Sequence, residues 1–165
     1  MSKKERKFIL YFAILCVLTM AIMIIVLNFP RPAHMGDFIP PEFDAFAQKG
    51  EPDVPENLGF IEPYADGMEF RAGFCGNLII EQNTAKIYFT NKDGNNVWIM
   101  LRILDENGNI LAQTGLLRPG EYIENISFKI TPQTGQKVIC KVMAYEPETY
   151  FSKGYYTVKT KANIK

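Results

Sequence analysis

Histidine is nearly absent from this chain: His34 is the only one. It lies in a proline-rich stretch, so a Ser–His or Cys–His nucleophile has no base within the part that reads as a folded domain. Net charge is absent too, with 18 basic and 18 acidic side chains. No segment concentrates basic groups as nucleic-acid binding requires. The zero average hides three unlike regions. Residues 1–7 carry Lys3, Lys4, Arg6 and Lys7 against Glu5. Residues 31–67 hold two basic and eight acidic side chains, and residues 68–165 hold twelve and nine. A basic end, an acidic middle and a mildly basic remainder predict segments with different surroundings.

Charge is missing altogether from Phe8 to Leu27, where Thr19 is the one clearly polar side chain. These twenty residues make a helix of about 30 Å, the thickness of a bilayer's hydrocarbon core. A cleaved signal peptide usually has an apolar stretch of only about 7–15 residues and a small-x-small site. Here the run is longer and is followed by Asn28-Phe29-Pro30-Arg31-Pro32, so an uncleaved transmembrane anchor over residues 8–28 is expected. The basic residues before it place residues 1–7 in the cytoplasm and the remainder outside.

Seven of the ten prolines fall between Pro30 and Pro63, which rules out a regular helix or central strand there. With its excess of acid, this composition predicts an extended stalk over residues 29–67. Phe38, Ile39, Phe43 and Phe46 are too apolar for a pure spacer. They lie on the membrane, dock on the domain or meet a partner, and the sequence does not choose.

From residue 68 to 165 the hydrophobic period becomes two. Ala85–Thr90, Val97–Leu104, Tyr122–Ile130, Val138–Tyr145 and Tyr155–Thr160 alternate, separated by Asn-, Gly- and Pro-rich turns. This spacing predicts an all-β domain of seven or eight strands, with an immunoglobulin-like antiparallel β-sandwich as the leading architecture. Asn107-Gly108 predicts a tight hairpin joining Val97–Asp105 to Ile110–Gly115.

Alternation assigns faces. Val97, Ile99, Leu101 and Ile103 point inward, as do Val138, Cys140, Val142 and Ala144. If the strands share a sheet, Tyr88, Trp98, Met100, Ile139, Met143 and Tyr145 then form an outward apolar patch, with Arg102 beside it. Such a patch is a candidate partner surface; cover by the stalk, or a bulge that reverses the phase, is the other explanation. A second candidate is the loop of residues 147–156 with Tyr150, Phe151, Tyr155 and Tyr156, where tyrosine can stack on a sugar or peptide. The alternative is that Phe151 and Tyr156 plug the end of the core.

Two turns have oxygen ligands at alternate positions, Asp93 with Asn95, and Asp105 with Asn107 and Asn109. Calcium loops use that pattern, but neither has a distal bidentate glutamate and turn chemistry accounts for both. No cofactor is therefore expected. Glu146 with Glu148, and Asp105 with Glu106, are solvated loop charges rather than a tuned acid and base, so no catalytic residues are assigned. Cys16 falls in the apolar helix. Cys75 and Cys140 can form one bridge, but the inward phase of Cys140 equally suits a buried free thiol.

Several runs resemble a family of small membrane-anchored surface proteins of Firmicutes, mostly Clostridia, with a C-terminal β-sandwich domain. They are Gly50-x-Pro52-x-Val54-Pro55-Glu56-Asn57-Leu58-Gly59, Val97-Trp98-Ile99-Met100-Leu101-Arg102, Asp105-Glu106-Asn107-Gly108-Asn109-Ile110-Leu111, Thr114-Gly115-Leu116-Leu117-Arg118-Pro119-Gly120-Glu121-Tyr122 and Val142-Met143-Ala144-Tyr145-Glu146-Pro147-Glu148-Thr149. The resemblance brings no activity and no functional residues. It implies a Gram-positive cell surface and a gene setting near mobile or conjugative elements. The joint expectation is a non-enzymatic interaction module held to the bilayer by residues 8–28. An envelope protein is its expected partner, with an accessory place in a secretion or conjugation assembly as one setting and glycan or small-ligand binding at residues 147–156 as the alternative.

Overall fold

The computed structural model describes residues 3–28, 39–63 and 67–165. His34, Phe38 and the first part of the expected stalk lie outside them. The chain divides into two compact units, Met1–Ile39 and Pro40–Lys165.

The described residues of the first unit form the helix α1 (Lys3–Asn28), which begins within the basic tail rather than at Phe8. It is long and apolar enough to cross a membrane. Phe8, Tyr11, Phe12, Leu15, Leu18 and Ile22 are all exposed around it. A helix apolar on every side has no face suited to water. The Thr19 hydroxyl donates to the Cys16 carbonyl at 2.9 Å, so the helix satisfies its own polar side chain.

The second unit is mostly β. Its strands are β1 (Gln48–Lys49), β2 (Phe60–Ile61), β3 (Ala72–Cys75), β4 (Leu78–Glu81), β5 (Thr84–Asn91), β6 (Trp98–Leu104), β7 (Ile110–Gln113), β8 (Glu121–Ser127), β9 (Lys137–Tyr145) and β10 (Ser152–Ile164). The sheet order is β1-β8-β5-β4-β10-β9-β6-β7, with β2 on β3 and β3 on β5. Antiparallel pairing dominates. Among the described strands the exception is the end of β10, where Ala162, Asn163 and Ile164 run parallel to Leu78, Ile79 and Ile80; outside the strands, Phe43 and Leu116 form an isolated parallel bridge. The earlier part of β10 pairs antiparallel with β9. One long strand thus joins the two halves, and the sheet curls into a half-barrel. The sequence pointed to the two separate sheets of an immunoglobulin-like sandwich. A strand shared by both halves leaves them continuous.

The core fills the curl. The inward set of β6 (Val97 just before it, then Ile99, Leu101 and Ile103) meets Val138, Cys140, Val142 and Ala144 of β9, as alternation required. Phe74, Leu78, Ile80, Ile87 and Phe89 close the core from the other half. The buried Asn91 amide donates to the carbonyls of Val97 and Leu117, both at 2.9 Å. Its oxygen accepts from Asn95. A buried amide satisfied in this way ties three connections together at little net cost.

The predicted hairpin joins β6 to β7. Gly108 N–H donates to the Asp105 carbonyl at 3.1 Å and Asp105 N–H to the Asn109 carbonyl at 3.0 Å. Gly108 takes φ 87°, the left-handed conformation that this turn demands and glycine adopts freely. In β5 the register shifts between Lys86 and Phe89. Tyr88 occupies that bulge with φ 46°, so one extra residue is absorbed there.

Residues 40–63 belong to the compact unit, which places its boundary at 39/40 rather than at 67/68. Proline denies this segment long ladders, yet its side chains and short pairings hold it on the domain as a strap. Leu116 N–H donates to the Glu42 carbonyl at 2.9 Å, and Asp44 N–H to the Leu116 carbonyl at 3.0 Å. Gln48 and Lys49 pair with Tyr122 and Glu121, and Phe60 and Ile61 with Cys75 and Phe74. Lys92 bridges two points of the strap, reaching Glu51 at 3.4 Å and Glu62 at 2.5 Å. Burial alone would lower the Lys92 pKa; hydrogen bonding to Glu62 and the charges of both glutamates outweigh it and hold the ammonium above its ordinary value.

Candidate functional site

The expected partner surface is divided and mostly covered. β5 lies on the other half of the sheet from β6 and β9, with β4 and β10 between, so Tyr88 never joins the other six residues. It packs instead with Leu58 and Cys75, next to Val54, Phe60 and Ile79. The strap supplies Val54, Leu58 and Phe60, and Tyr88 is 6% exposed. Burial, then the charge of Glu124, raises the pKa of its phenol.

On β6 and β9 the register sets Met100 beside Met143 and Trp98 beside Tyr145. These four residues share one cluster with Leu116, Phe43 and Tyr150. Phe43 meets Trp98 edge to face, with ring centroids 4.7 Å apart and planes at 77°. The Arg118 guanidinium carbon lies 3.6 Å from the Phe43 ring centroid. Tyr150 packs edge-on to Trp98 at 5.3 Å. Met100 is wholly buried and Met143 is 8% exposed, so neither serves as an open contact. The outward phase was read correctly, and the chain's own strap and loop cover that face. The sequence left open that the stalk covers this face and that Phe43 docks on the domain, but it named neither Leu116 in the cluster nor Arg118 over the Phe43 ring. The signal for the cover was the excess of phenylalanine in the proline-rich segment.

Arg102 and Ile139 remain partly exposed. Arg102 Nε donates to Gln113 Oε1 at 2.7 Å across the β6–β7 pair. Ile139 sits between Leu104 and Lys159 by register.

The expected loop of residues 147–156 runs into β10, and its four aromatics are split between the connection (Tyr150, Phe151) and the start of that strand (Tyr155, Tyr156). Tyr150 faces Trp98. Tyr156 stacks on Phe70 at 5.7 Å and donates to the Ala72 carbonyl at 3.4 Å. Burial, chiefly, pushes its phenol pKa up. Phe151 and Tyr155 stand 71% and 63% exposed. Tyr156 thus takes the plugging role expected of both Phe151 and Tyr156, and Phe151 does not. Lys141 Nζ lies 4.1 Å above the Tyr155 ring. The loop backbone is pinned. Glu146 N–H donates to the Phe151 carbonyl at 2.8 Å, and Tyr150 N–H to the Glu146 carbonyl at 3.0 Å. Glu146 also accepts from the Thr149 hydroxyl at 2.7 Å and pairs with Lys153 at 3.6 Å. The Thr149 bond first, then the Lys153 charge, holds the Glu146 carboxyl below its ordinary value. Glu148 and Tyr150 adopt φ of 67° and 58°, a conformation that costs non-glycine residues free energy.

The calcium candidates have other occupations. Asp105 Oδ1 accepts from Asn107 N–H at 2.9 Å and Asn109 N–H at 2.8 Å, while Oδ2 accepts from the Asn109 amide at 2.8 Å. These bonds, the Asn109 side chain's above all, lower the Asp105 pKa. Asn95 exchanges hydrogen bonds with the backbone of Arg71. Among the described residues no group of three or more His, Cys, Asp or Glu is arranged to hold a metal ion. Cys75 and Cys140 are free thiols in separate clusters. Burial pushes their pKa values up to about 11 and about 12.

The chain matches no family model, no curated protein and no solved structure.

Proposed function

We propose that the chain is a non-enzymatic interaction module, tethered by α1 and presenting its β-domain outside the membrane to another envelope protein. The observation that carries the reading is the pair Phe151 and Tyr155. Phe151 is exposed at the end of a loop held by backbone bonds, the Glu146 contacts and two left-handed residues, and Tyr155 is exposed just beyond it at the start of β10. Ordering costs entropy and exposed aromatic area costs solvation, so a rigid loop presenting aromatics favours a partner that buries them. Two of the paired carboxylates are otherwise committed: Asp105 to its turn and Glu146 to Thr149 and Lys153. On this reading the module is an accessory part of a secretion or conjugation assembly of a Gram-positive envelope, as the Firmicutes resemblance implies.

A second reading is binding of a cell-wall glycan or small ligand at the same loop. A depression of about 490 Å³ beside Tyr155 and Tyr156, walled by Phe70 and Glu69, favours it.

Crosslinking in intact membranes, followed by pull-down, separates the two. The protein reading predicts a reproducible envelope partner that Phe151→Ser/Tyr155→Ser no longer captures. Recovery of the bait alone, with glycan fragments retained by the parent and lost by the variant, would favour the second. Capture unaffected by the double substitution would remove the loop from both.

A further inference from the structure

Three adjacent strands carry charge of one sign only. β6, β9 and β10 hold Arg102, Lys137, Lys141, Lys153, Lys159 and Lys161, and no Asp or Glu. Register gathers them. Lys141 stands opposite Arg102 on one side and Thr157 on the other; Lys159 is opposite Ile139, and Lys161 is opposite Lys137. Residues 137, 139 and 141 leave the sheet away from the core, because Val138, Cys140 and Val142 between them are buried. Their cross-strand neighbours share that face. Lys137, Ile139, Lys159 and Lys161 line a depression of about 430 Å³, with Glu106 at its margin.

Local acids neutralise little of this. Glu106 approaches Lys137 at 3.8 Å and Glu146 approaches Lys153 at 3.6 Å. Among the described residues no ion pair engages Lys141, Lys159 or Lys161. Like charges placed directly opposite, as Lys137 and Lys161 are, destabilise a sheet. An anion seated between them turns that repulsion into attraction.

The chain length supplies the candidate anion. α1 ends at Asn28 and the compact unit starts at Pro40. The eleven residues between can reach at most about 36–40 Å. If α1 spans a bilayer, the domain is confined near its surface at high effective concentration. Attraction between lysine and an anionic leaflet acts within a Debye length of about 8–10 Å. We propose that the outer face of β9 and β10 binds anionic phospholipid headgroups of the membrane that α1 crosses, with Lys137, Lys159 and Lys161 around a headgroup phosphate. This rests on the anchoring role of α1 proposed above.

The test uses the full chain in nanodiscs of phosphatidylcholine alone, or of phosphatidylcholine mixed with phosphatidylglycerol. Lysine acylation rates are read by mass spectrometry, with Lys49 on β1 and Lys86 on β5 as internal references. Acylation of Lys159 and Lys161 is expected to slow several-fold in the anionic discs, and added salt should abolish the difference. Lys159→Glu/Lys161→Glu should remove the protection of Lys137 while leaving the circular dichroism spectrum intact. Equal rates in both discs, with the chain co-eluting with each, would overturn the inference and leave the anchor standing. Failure to co-elute with either disc would overturn both. Protection by soluble polyphosphate in neutral discs but none by anionic lipid would also overturn it, making an anionic polymer the partner.

Discussion

The backbone of Asp44 lies directly against Gly115. A β-carbon built on Gly115 would sit 2.5 Å from the Asp44 nitrogen and 2.6 Å from its α-carbon. Asp44 Oδ2 accepts from Gly115 N–H at 2.8 Å, and Asp44 N–H donates to the neighbouring Leu116 carbonyl. The strap therefore docks where only glycine leaves room for it.

Gly115→Ala should pry the strap loose. The obstacle is backbone rather than a yielding side-chain end, so the strap must move. We expect a loss of about 1–3 kcal/mol, as for overpacking together with lost backbone bonds. Hydrogen exchange at Asp44 and Leu116 should accelerate far more than exchange in β9. Unchanged protection at both amides would refute the docking geometry.

Phe43→Ala should uncover Trp98. Phe43 is half-buried, so the cost should be about 1–3 kcal/mol, below that of a fully buried ring. Trp98 is the only tryptophan, and its fluorescence reports the change directly. A red shift with greater quencher access is expected; an unshifted spectrum would mean that Tyr150 alone shelters the indole.

The β6–β7 hairpin should weaken in acid. Hydrogen bonds from Asn109, Asn107 and Gly108 depress the Asp105 pKa. Its contribution is therefore fully present above the unfolded value of about 3.9 and is lost as pH falls through the lower folded value. Amide exchange at Asn107 and Asn109, followed against pH, should rise in that window in the parent. In Asp105→Ala it should be fast and show no such step.

Cys75 and Cys140 should resist a thiol reagent at pH 8 in the native protein and both react after denaturation. Burial keeps each thiol neutral, with pKa values raised to about 11 and about 12. Raised values add stability below the unfolded pKa of about 8.5, and that stability falls as pH climbs toward the folded values. Rapid labelling of either cysteine in the native state would place it at the surface.

The sequence carried much of the β-domain. Strict alternation in Val97–Leu104 and Val138–Tyr145 assigned the core sets correctly, and Asn107-Gly108 marked its hairpin, because both signals are local. The strap was harder to see. Proline told against long ladders there, and it said nothing about Phe43, Val54, Leu58 and Phe60 packing as isolated plugs. The sharing of β10 between two halves was also hidden, since a parallel pairing of Ala162 with Leu78 leaves no local mark. The lysine face fell between the two. Strand parity would have aligned residues 137, 141, 159 and 161, but only register brings β9 and β10 side by side. The candidate partner patch was legible in the same measure: its outward phase and the option of stalk cover could be read, while the particular covering residue, Phe43, comes from far along the chain.

The measurement that bears most directly on the tethered, outward-facing module is labelling of intact cells with a membrane-impermeant amine reagent, followed by alkaline carbonate extraction. Lysines of the β-domain such as Lys49 and Lys86 should be labelled without permeabilisation, and the labelled chain should stay in the membrane pellet. A chain released into the supernatant, or labelled only after the cells are opened, would contradict the account.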